Sequence, residues 1–171
     1  MLVLDSGGVS RLAERTTRAA ALIAVFKREG LWPPLVPSVV LVECLSGRPD
    51  VDARTNQFLK SCDVNTALPQ ARARRAALLR GLAQRGFAVD AVVVAAAEPG
   101  GTVLGGDVAD LRALAAHADD VVIERAYSRG WARRFAVFSA YIAWSACSNT
   151  WSRVQSSPGS HWATPMLTDS G

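Results

Sequence analysis

Two short apolar segments, one at the start of the chain and one near residue 100, each run into glycines and an aspartate. Residues 2–4 (LVL) are followed by Asp5-Ser6-Gly7-Gly8, and residues 102–104 (TVL) by Gly105-Gly106-Asp107. Short apolar runs that stop at turn-forming residues are typical of buried strands that end in tight loops. Both segments therefore predict a strand with an aspartate at or near its carboxyl end.

The rest of the chain alternates helix-favouring and strand-favouring stretches. Alanine, leucine and arginine at helical spacing predict helices over residues 10–29, 39–45, 52–62, 70–85 and 110–117, with Ser38 as the N-cap of the second. Apolar segments at 35–36, 64–68 and 121–123 predict further strands. This alternation predicts an α/β fold, with a parallel sheet of four to five strands flanked by helices on both faces.

Residues 89–97 combine two opposing propensities. The run Val92-Val93-Val94 favours a strand, whereas the alanines at 91 and 95–97 favour a helix. We predict a helix, which places Asp90 in its first turn, where the helix dipole favours a carboxylate.

Four acidic residues stand at element ends or within apolar runs: Asp5, Glu43, Asp90 and Asp107. Taken singly, each is equally well explained as a loop cap, a helix cap or an exposed helix residue. Parallel sheets bind their ligands at the carboxyl ends of the strands, where such residues would gather. Gathered carboxylates repel one another unless a divalent cation neutralises them, so the set as a whole indicates a metal site.

Length and composition limit the classes of protein to consider. A chain of 171 residues that is 50% hydrophobic has enough apolar residues for one domain plus an appendage. The formal charge of +4 comes mainly from arginine, which suits phosphate contacts but is equally explained by genomic base composition. The three cysteines lack zinc-site spacing and indicate reduced thiols, and the chain opens without a signal-peptide pattern. We therefore expect a cytoplasmic protein.

Residues 2 to about 125 resemble the PIN-domain nucleases and, within them, the VapC-type toxins of bacterial toxin–antitoxin pairs. The matching stretches are 2–7 (LVLDSG), 36–43 (VPSVVLVE), 89–97 (VDAVVVAAA) and 103–111 (VLGGDVADL), in this order and spacing. The resemblance implies a PIN-like nuclease domain over residues 1–126 and a metal-dependent ribonuclease activity.

Carried over position by position, the resemblance assigns metal-binding and catalytic roles to the four acids. Asp5 becomes the first metal-binding acid, and Glu43 the glutamate on the helix after the second strand. Asp90 becomes the acid that opens the penultimate helix, and Asp107 the acid after the next strand.

Three further positions follow from the same comparison. Ser6 falls where relatives often carry a small hydroxyl residue near the metal, and Asp110 where an additional acid is frequent. Gly105 departs from the pattern, because relatives commonly carry threonine or serine two residues before the last acid. The departure puts catalytic efficiency in doubt.

The predicted chemistry follows from the donor set. Mg²⁺ or Mn²⁺ prefers oxygen ligands and keeps several waters, so a few carboxylates and a substrate phosphate suit either ion. Such an ion activates water for attack on an RNA phosphodiester, and with no histidine among the candidates a carboxylate or the activated water must act as base. Substrate arginines would be Arg11, Arg72, Arg74 and Arg75, although a solvated helix face is the favoured explanation of these residues.

The resemblance also implies partners, namely an RNA substrate, a cognate antitoxin protein and a second copy of the chain in a homodimer. Helix faces between residues 16 and 32 suit a partner helix, but serve equally as core.

Two alternative functions stay open. One is a catalytically weak PIN-like module that binds RNA or an antitoxin; the other is a receiver domain, which needs a phosphoacceptor aspartate after a middle strand and a late lysine, neither of which is evident.

Residues 127–171 differ in composition from the rest and form an extension outside the domain. Four of the five tryptophans lie there, among many serines. A helix is expected at about 131–147, with the remainder irregular or disordered. Its apolar part, residues 135–147, is too short to span a bilayer, so no membrane partner is expected; a helix on a membrane surface, a packing appendage, a partner-binding tail and unselected sequence stay open as its role.

Overall fold

The strands and helices alternate along the chain as predicted. The structure, a computed structural model, describes residues 1–126, so the extension over 127–171, with the helix predicted at about 131–147, lies outside the described residues. The strands are β1 (Leu2–Leu4), β2 (Leu35–Pro37), β3 (Asp63–Asn65), β4 (Thr102–Gly105) and β5 (Val122–Arg125). The helices are α1 (Ser6–Ala13), α2 (Thr17–Arg28), α3 (Leu41–Cys44), α4 (Pro49–Leu59), α5 (Gln70–Ala83), α6 (Ala88–Ala97) and α7 (Val108–Ala115), and a 3-10 turn at Ser38–Val40 leads into α3.

All five strands pair in parallel, in the order β3-β2-β1-β4-β5, which confirms the predicted fold class. The connections from β1 to β2 and from β2 to β3 advance toward one edge, whereas those from β3 to β4 and from β4 to β5 advance toward the other. Right-handed crossovers then place α1–α4 on one face and α5–α7 on the opposite face. The contacts agree, since α1 packs against α2, α3 and α4, while α6 packs against α5 and α7.

The centre of the core lies at β1 and α6. Every residue of β1 is buried, and so is every residue of α6 from Ala91 to Ala97. Helix α6 packs on β1, β2 and β4 and also against α5 and α7, so its alanines and valines are buried on all sides. Packing therefore overrides the strand propensity of the valine run, and the predicted helix is confirmed.

Several element boundaries differ from the predictions, and local backbone geometry explains two of these differences. The helix predicted over 10–29 is interrupted at Arg15, whose φ of 54° ends α1, and Thr16 then caps α2 by accepting a hydrogen bond from the Ala19 amide at 3.1 Å. Ser38 is not a side-chain N-cap, since it begins the 3-10 turn instead.

Among residues 1–126, no helix combines the length and the apolar character needed to cross a bilayer. Cys44 and Cys62 are free thiols, as expected, and the third cysteine lies beyond the described range.

Candidate functional site

The candidate site lies where the sheet changes direction, between β1 and β4. Connections leave these two neighbouring strands toward opposite edges, an arrangement that in open parallel sheets leaves a crevice beyond the carboxyl ends. Ligands of open parallel sheets bind at such switch points. Asp5 directly follows β1 and Asp107 follows β4, so the topology brings both predicted acids to this crevice.

Asp5 is buried, with a side chain only 6% exposed, and both of its oxygens accept backbone hydrogen bonds. Oδ1 accepts from the Gly8 amide at 2.6 Å, as the N-cap of α1, and Oδ2 accepts from the Gly106 amide at 3.0 Å. The carboxylate therefore ties α1 to the end of β4. Each carboxylate oxygen offers two acceptor sites, so acceptor capacity remains for a cation.

The close approach of α1 to the end of β4 depends on glycines, among them Gly8 and Gly105. A Cβ atom on Gly8 would overlap the Leu104 carbonyl oxygen, and a Cβ on Gly105 would lie 2.7 Å from Asp5 Oδ2 and overlap Leu111 Cδ1. The serine or threonine of the resemblance would not fit at 105 without displacing one of these groups. The departure at Gly105 is thus a packing requirement of the chain as it is folded.

Asp90 lies half-buried in the first turn of α6, as predicted. Its Oδ2 accepts a hydrogen bond from the Phe87 amide at 3.0 Å, which closes the start of the helix. Desolvation by burial raises the pKa of Asp90, and the negative charges of Glu43, Asp110 and Asp107 raise it further. Asp90 therefore lies within the electrostatic range of three other acids.

The pKa of Asp5 is raised in the same manner. Burial is the largest cause, the bonds from Gly8 and Gly106 oppose it, and the charges of Asp90 and Glu43 add to the increase. Asp5 and Asp90 come from different elements, and the charge of Asp90 reaches the Asp5 carboxyl.

Glu43 and Asp107 are exposed at the edge of this group. Glu43 lies on the single turn of α3, which has no buried residue, so the apolar run around Glu43 does not bury the charge. Asp107 caps α7, with Oδ1 accepting from the Ala109 amide at 3.1 Å. The capping role that the sequence left open is therefore real for Asp5, Asp90 and Asp107 alike.

Ser6 and Asp110, the two further residues that the resemblance places near the site, differ in their contacts. Ser6 is half-buried at the start of α1, next to Asp5. Asp110 is half-buried and forms an ion pair with Arg85, whose Nε donates to Oδ1. Arg85 was not predicted, because it follows a helix rich in arginine and no motif distinguishes it from the other arginines.

Arg75 of the arginine cluster on α5 is engaged away from the candidate acids. Arg75 binds Glu98 with three hydrogen bonds, the shortest of 2.6 Å from an Nη atom. Glu98 follows the last turn of α6, eight residues beyond Asp90 and so about 12 Å farther along that helix. This pairing raises the pKa of Arg75 and lowers that of Glu98. Arg75 thus makes a structural contact near the amino-terminal ends of the strands, away from the candidate acids.

Asp52 is a site-adjacent acid that the sequence did not single out. It is buried on α4 and accepts hydrogen bonds from the Ser46 amide, the Ser46 hydroxyl and the Gly47 amide at 2.9–3.1 Å. These bonds lower the pKa of Asp52. They fix the loop that follows α3, the helix that carries Glu43.

The side chains as they stand do not form a complete coordination shell. Within residues 1–126, no three Asp, Glu, His or Cys side chains are placed to hold one ion together. The oxygen-only donor set nevertheless suits a hard cation such as Mg²⁺, which takes one or two carboxylates and several waters.

Comparisons with known proteins found no matching family model, no matching curated protein and no matching solved structure.

Proposed function

We propose that this chain is a metal-dependent endoribonuclease with its active site at the β1–β4 switch point. The observation that carries the proposal is the placement of the acids: buried Asp5 directly follows β1, Asp107 follows β4, and half-buried Asp90 opens α6 near enough for its charge to raise the pKa of Asp5, which burial raises most. A fold gains nothing in stability from such repulsion. A divalent cation would remove it, which makes a metal site the best explanation of the arrangement.

Asp5 and Asp90 are the residues that would hold Mg²⁺ or Mn²⁺, with Glu43 and Asp107 at the edge as direct ligands or through water. When bound, the ion would polarise a phosphodiester and lower the pKa of a water molecule. Asp5 already accepts two backbone hydrogen bonds and is best suited to a fixed ligand role.

Asp90 is the better candidate for accepting a proton from the attacking water. Its carboxylate is only half-buried and accepts a single backbone hydrogen bond, so it keeps acceptor sites for a water molecule. The only histidine within the described residues, His117, follows α7 and lies near the amino-terminal ends of the strands.

Cleavage of a labelled RNA by the full chain tests the proposal. Cleavage should require Mg²⁺ or Mn²⁺, stop in EDTA, and fall by at least about 100-fold in Asp5→Asn and Asp90→Asn. The matched control is Asp63→Asn, since Asp63 is exposed at the amino end of β3, away from the crevice. Undiminished cleavage in EDTA would contradict the metal mechanism, and equal loss in the control would point to misfolding.

We further propose that the nuclease acts in the cytoplasm as the toxin of a toxin–antitoxin pair, with a protein antitoxin and a homodimeric state, as the sequence resemblance implies. Induced expression should then arrest bacterial growth, while Asp5→Asn should not. Light scattering of the purified chain tests the dimer. If cells expressing the wild-type protein and cells expressing Asp5→Asn at the same protein level grew equally well, a toxin role would be contradicted.

A binding module without strong catalysis is the second candidate. Two observations favour it: Gly105 leaves no room for the hydroxyl side chain of the resemblance, and no three donors within residues 1–126 are placed to hold one ion. RNA binding without cleavage in Mg²⁺, Mn²⁺, Co²⁺ or Ca²⁺ would support this candidate over the nuclease.

A further inference from the structure

A pocket of about 500 Å³ opens beside the last turn of α5. It is lined by Ala77, Arg80, Gly81, Gln84, Arg85 and Gly86. Two of these side chains are arginines, one is an amide, and none is acidic. The lining is therefore suited to an anion.

The backbone after α5 gives the pocket its shape. Gln84 adopts the left-handed conformation with φ 48°, and Gly86 follows with φ 85°. A Cβ atom on Gly86 would lie 2.8 Å from Leu114 Cδ1, so glycine is needed for the loop to pack on α7. These two residues turn the chain and hold Arg85 at the border between the pocket and α7.

Arg85 connects the pocket to the acids. Its side chain is 60% exposed, yet its Nε is bound to Asp110, whose charge acts on Asp90. A guanidinium carries five N–H donors, so a contact through Nε leaves both terminal nitrogens for another acceptor. Arg85 is thus able to hold Asp110 and an incoming anion together.

An exposed aromatic ring adjoins the same loop. Phe87 is 74% exposed and follows Gly86 directly, and its amide binds Asp90 at 3.0 Å. A large exposed ring is a favourable surface for stacking a nucleobase. The α5–α6 loop therefore offers an anion pocket and an aromatic surface in adjacent positions, beside an acid of the candidate site.

We propose that the end of α5 and the α5–α6 loop form a nucleotide subsite, in which the pocket of Arg80 and Arg85 binds a backbone phosphate and Phe87 stacks on the attached base. The identity of the ligand as RNA rests on the proposed function. The electrostatic need is clear, because a polyanion approaching several carboxylates is repelled, and these arginines provide positive charge beside them. The subsite would hold the strand next to the acids.

The test is binding of a fluorescein-labelled single-stranded RNA of about 12 nucleotides to the full chain, measured by anisotropy in EDTA so that cleavage plays no part. We expect Arg80→Ala and Arg85→Ala each to weaken the Kd about tenfold and to reduce the slope of log Kd against log salt by about one. Phe87→Leu, which keeps an apolar side chain without the ring, should weaken the Kd about tenfold at every salt concentration.

Arg28→Ala is the matched control, because Arg28 is an exposed arginine on α2, on the other face of the sheet. It should leave the Kd within about twofold. Circular dichroism and thermal unfolding of each variant identify misfolded protein, and Arg80→Lys and Arg85→Lys serve where alanine variants unfold; Arg85→Lys should still bind more weakly, because it lacks the fork of donors.

The outcomes separate this subsite from the proposed nuclease. Equal affinities of folded Arg80→Ala, Arg85→Ala and Arg28→Ala would overturn the subsite even if the protein cleaves RNA. The absence of any RNA binding would overturn it as well. Loss of affinity confined to the loop variants would support it even if no divalent ion produces cleavage.

Discussion

Gly105 illustrates how closely the residues of the candidate site are packed. Its Cα faces both the Asp5 carboxylate and Leu111, with no space for a further carbon atom. Gly105→Ala should therefore lower the free energy of unfolding by about 1–3 kcal/mol through overpacking. Urea unfolding followed by circular dichroism measures this change.

Gly81 offers a control with the opposite sign. It lies within α5, its backbone conformation suits any residue, and a Cβ atom there would meet nothing within 4 Å. Gly81→Ala should stabilise the protein by about 0.5–1 kcal/mol, because alanine is the better helix former. A destabilised Gly81→Ala, or an unchanged Gly105→Ala, would contradict the packing argument.

The candidate acids show what a sequence does and does not reveal about a single residue. Their positions at strand and helix ends were predictable, since Asp5 and Asp90 interrupt apolar patterns that mark those ends. Their roles were not, because a carboxylate that caps a helix and one that binds an ion occupy the same kind of position. Asp5, Asp90 and Asp107 do cap helices, and a metal-binding role is an addition that binding data must test.

Between α3 and α4, Asp52 fixes a loop through hydrogen bonds to its carboxylate. The lowered pKa means that the native state favours the ionised form, so its stabilisation is present above the ordinary aspartate pKa and is lost as pH falls through the lower native value. Asp52→Asn should lower the urea midpoint at pH 7, because an amide nitrogen would face the Ser46 and Gly47 amides. The difference from wild type should shrink below about pH 4.

Asp50→Asn is the control for this element, because Asp50 lies two residues earlier on α4 with a side chain 71% exposed. Its free energy of unfolding should stay within about 0.5 kcal/mol of wild type at both pH values. If Asp52→Asn behaved like Asp50→Asn, the carboxylate would not be what holds the loop.

Near the amino-terminal ends of the strands, Arg75 connects α5 to the residues that follow α6 and α7. Its guanidinium binds Glu98 after α6 and the His117 carbonyl after α7, and Glu98 in turn accepts from the Asp119 amide at 2.8 Å. Arg75→Ala should cost about 1–3 kcal/mol, because Glu98 is only 10% exposed and would lose its charged partner.

RNA affinity separates this structural role from substrate binding. Arg75→Ala should bind the labelled RNA within about twofold of wild type, unlike the pocket variants of α5. A large loss of affinity at unchanged stability would restore the substrate role that the arginine cluster suggested from sequence.

The prediction of elements failed where local geometry departed from a continuous pattern. Helical spacing runs without interruption from residue 10 to 29, and nothing in that spacing marks the positive φ of Arg15. Thr16 was the available signal, as a residue that caps helices well. Asp52 was missed for a related reason, since its partners lie in a loop whose path cannot be read from periodicity.

For the whole molecule, the class of fold followed from the alternation of strands and helices, but the strand order did not. The site depends on that order, because β1 and β4 are neighbours only when the chain reverses direction after β3. With β4 at an outer edge, Asp107 would lie strands away from Asp5. The long-range pairing of residues about 100 positions apart is what places the acids at one switch point.

Linkage between metal binding and global stability tests that arrangement. An ion that binds only the folded chain adds about 1.4 kcal/mol at ten times its Kd, a thermal shift of about 3–5 °C for a protein of this size. Wild type and Asp63→Asn should show this shift with MgCl₂, relative to NaCl at equal ionic strength, and Asp90→Asn should not. Since the raised pKa of Asp90 marks a disfavoured charge, Asp90→Asn should also match or exceed wild-type stability without divalent ions. An equal Mg²⁺ shift in Asp90→Asn would show that the ion binds elsewhere.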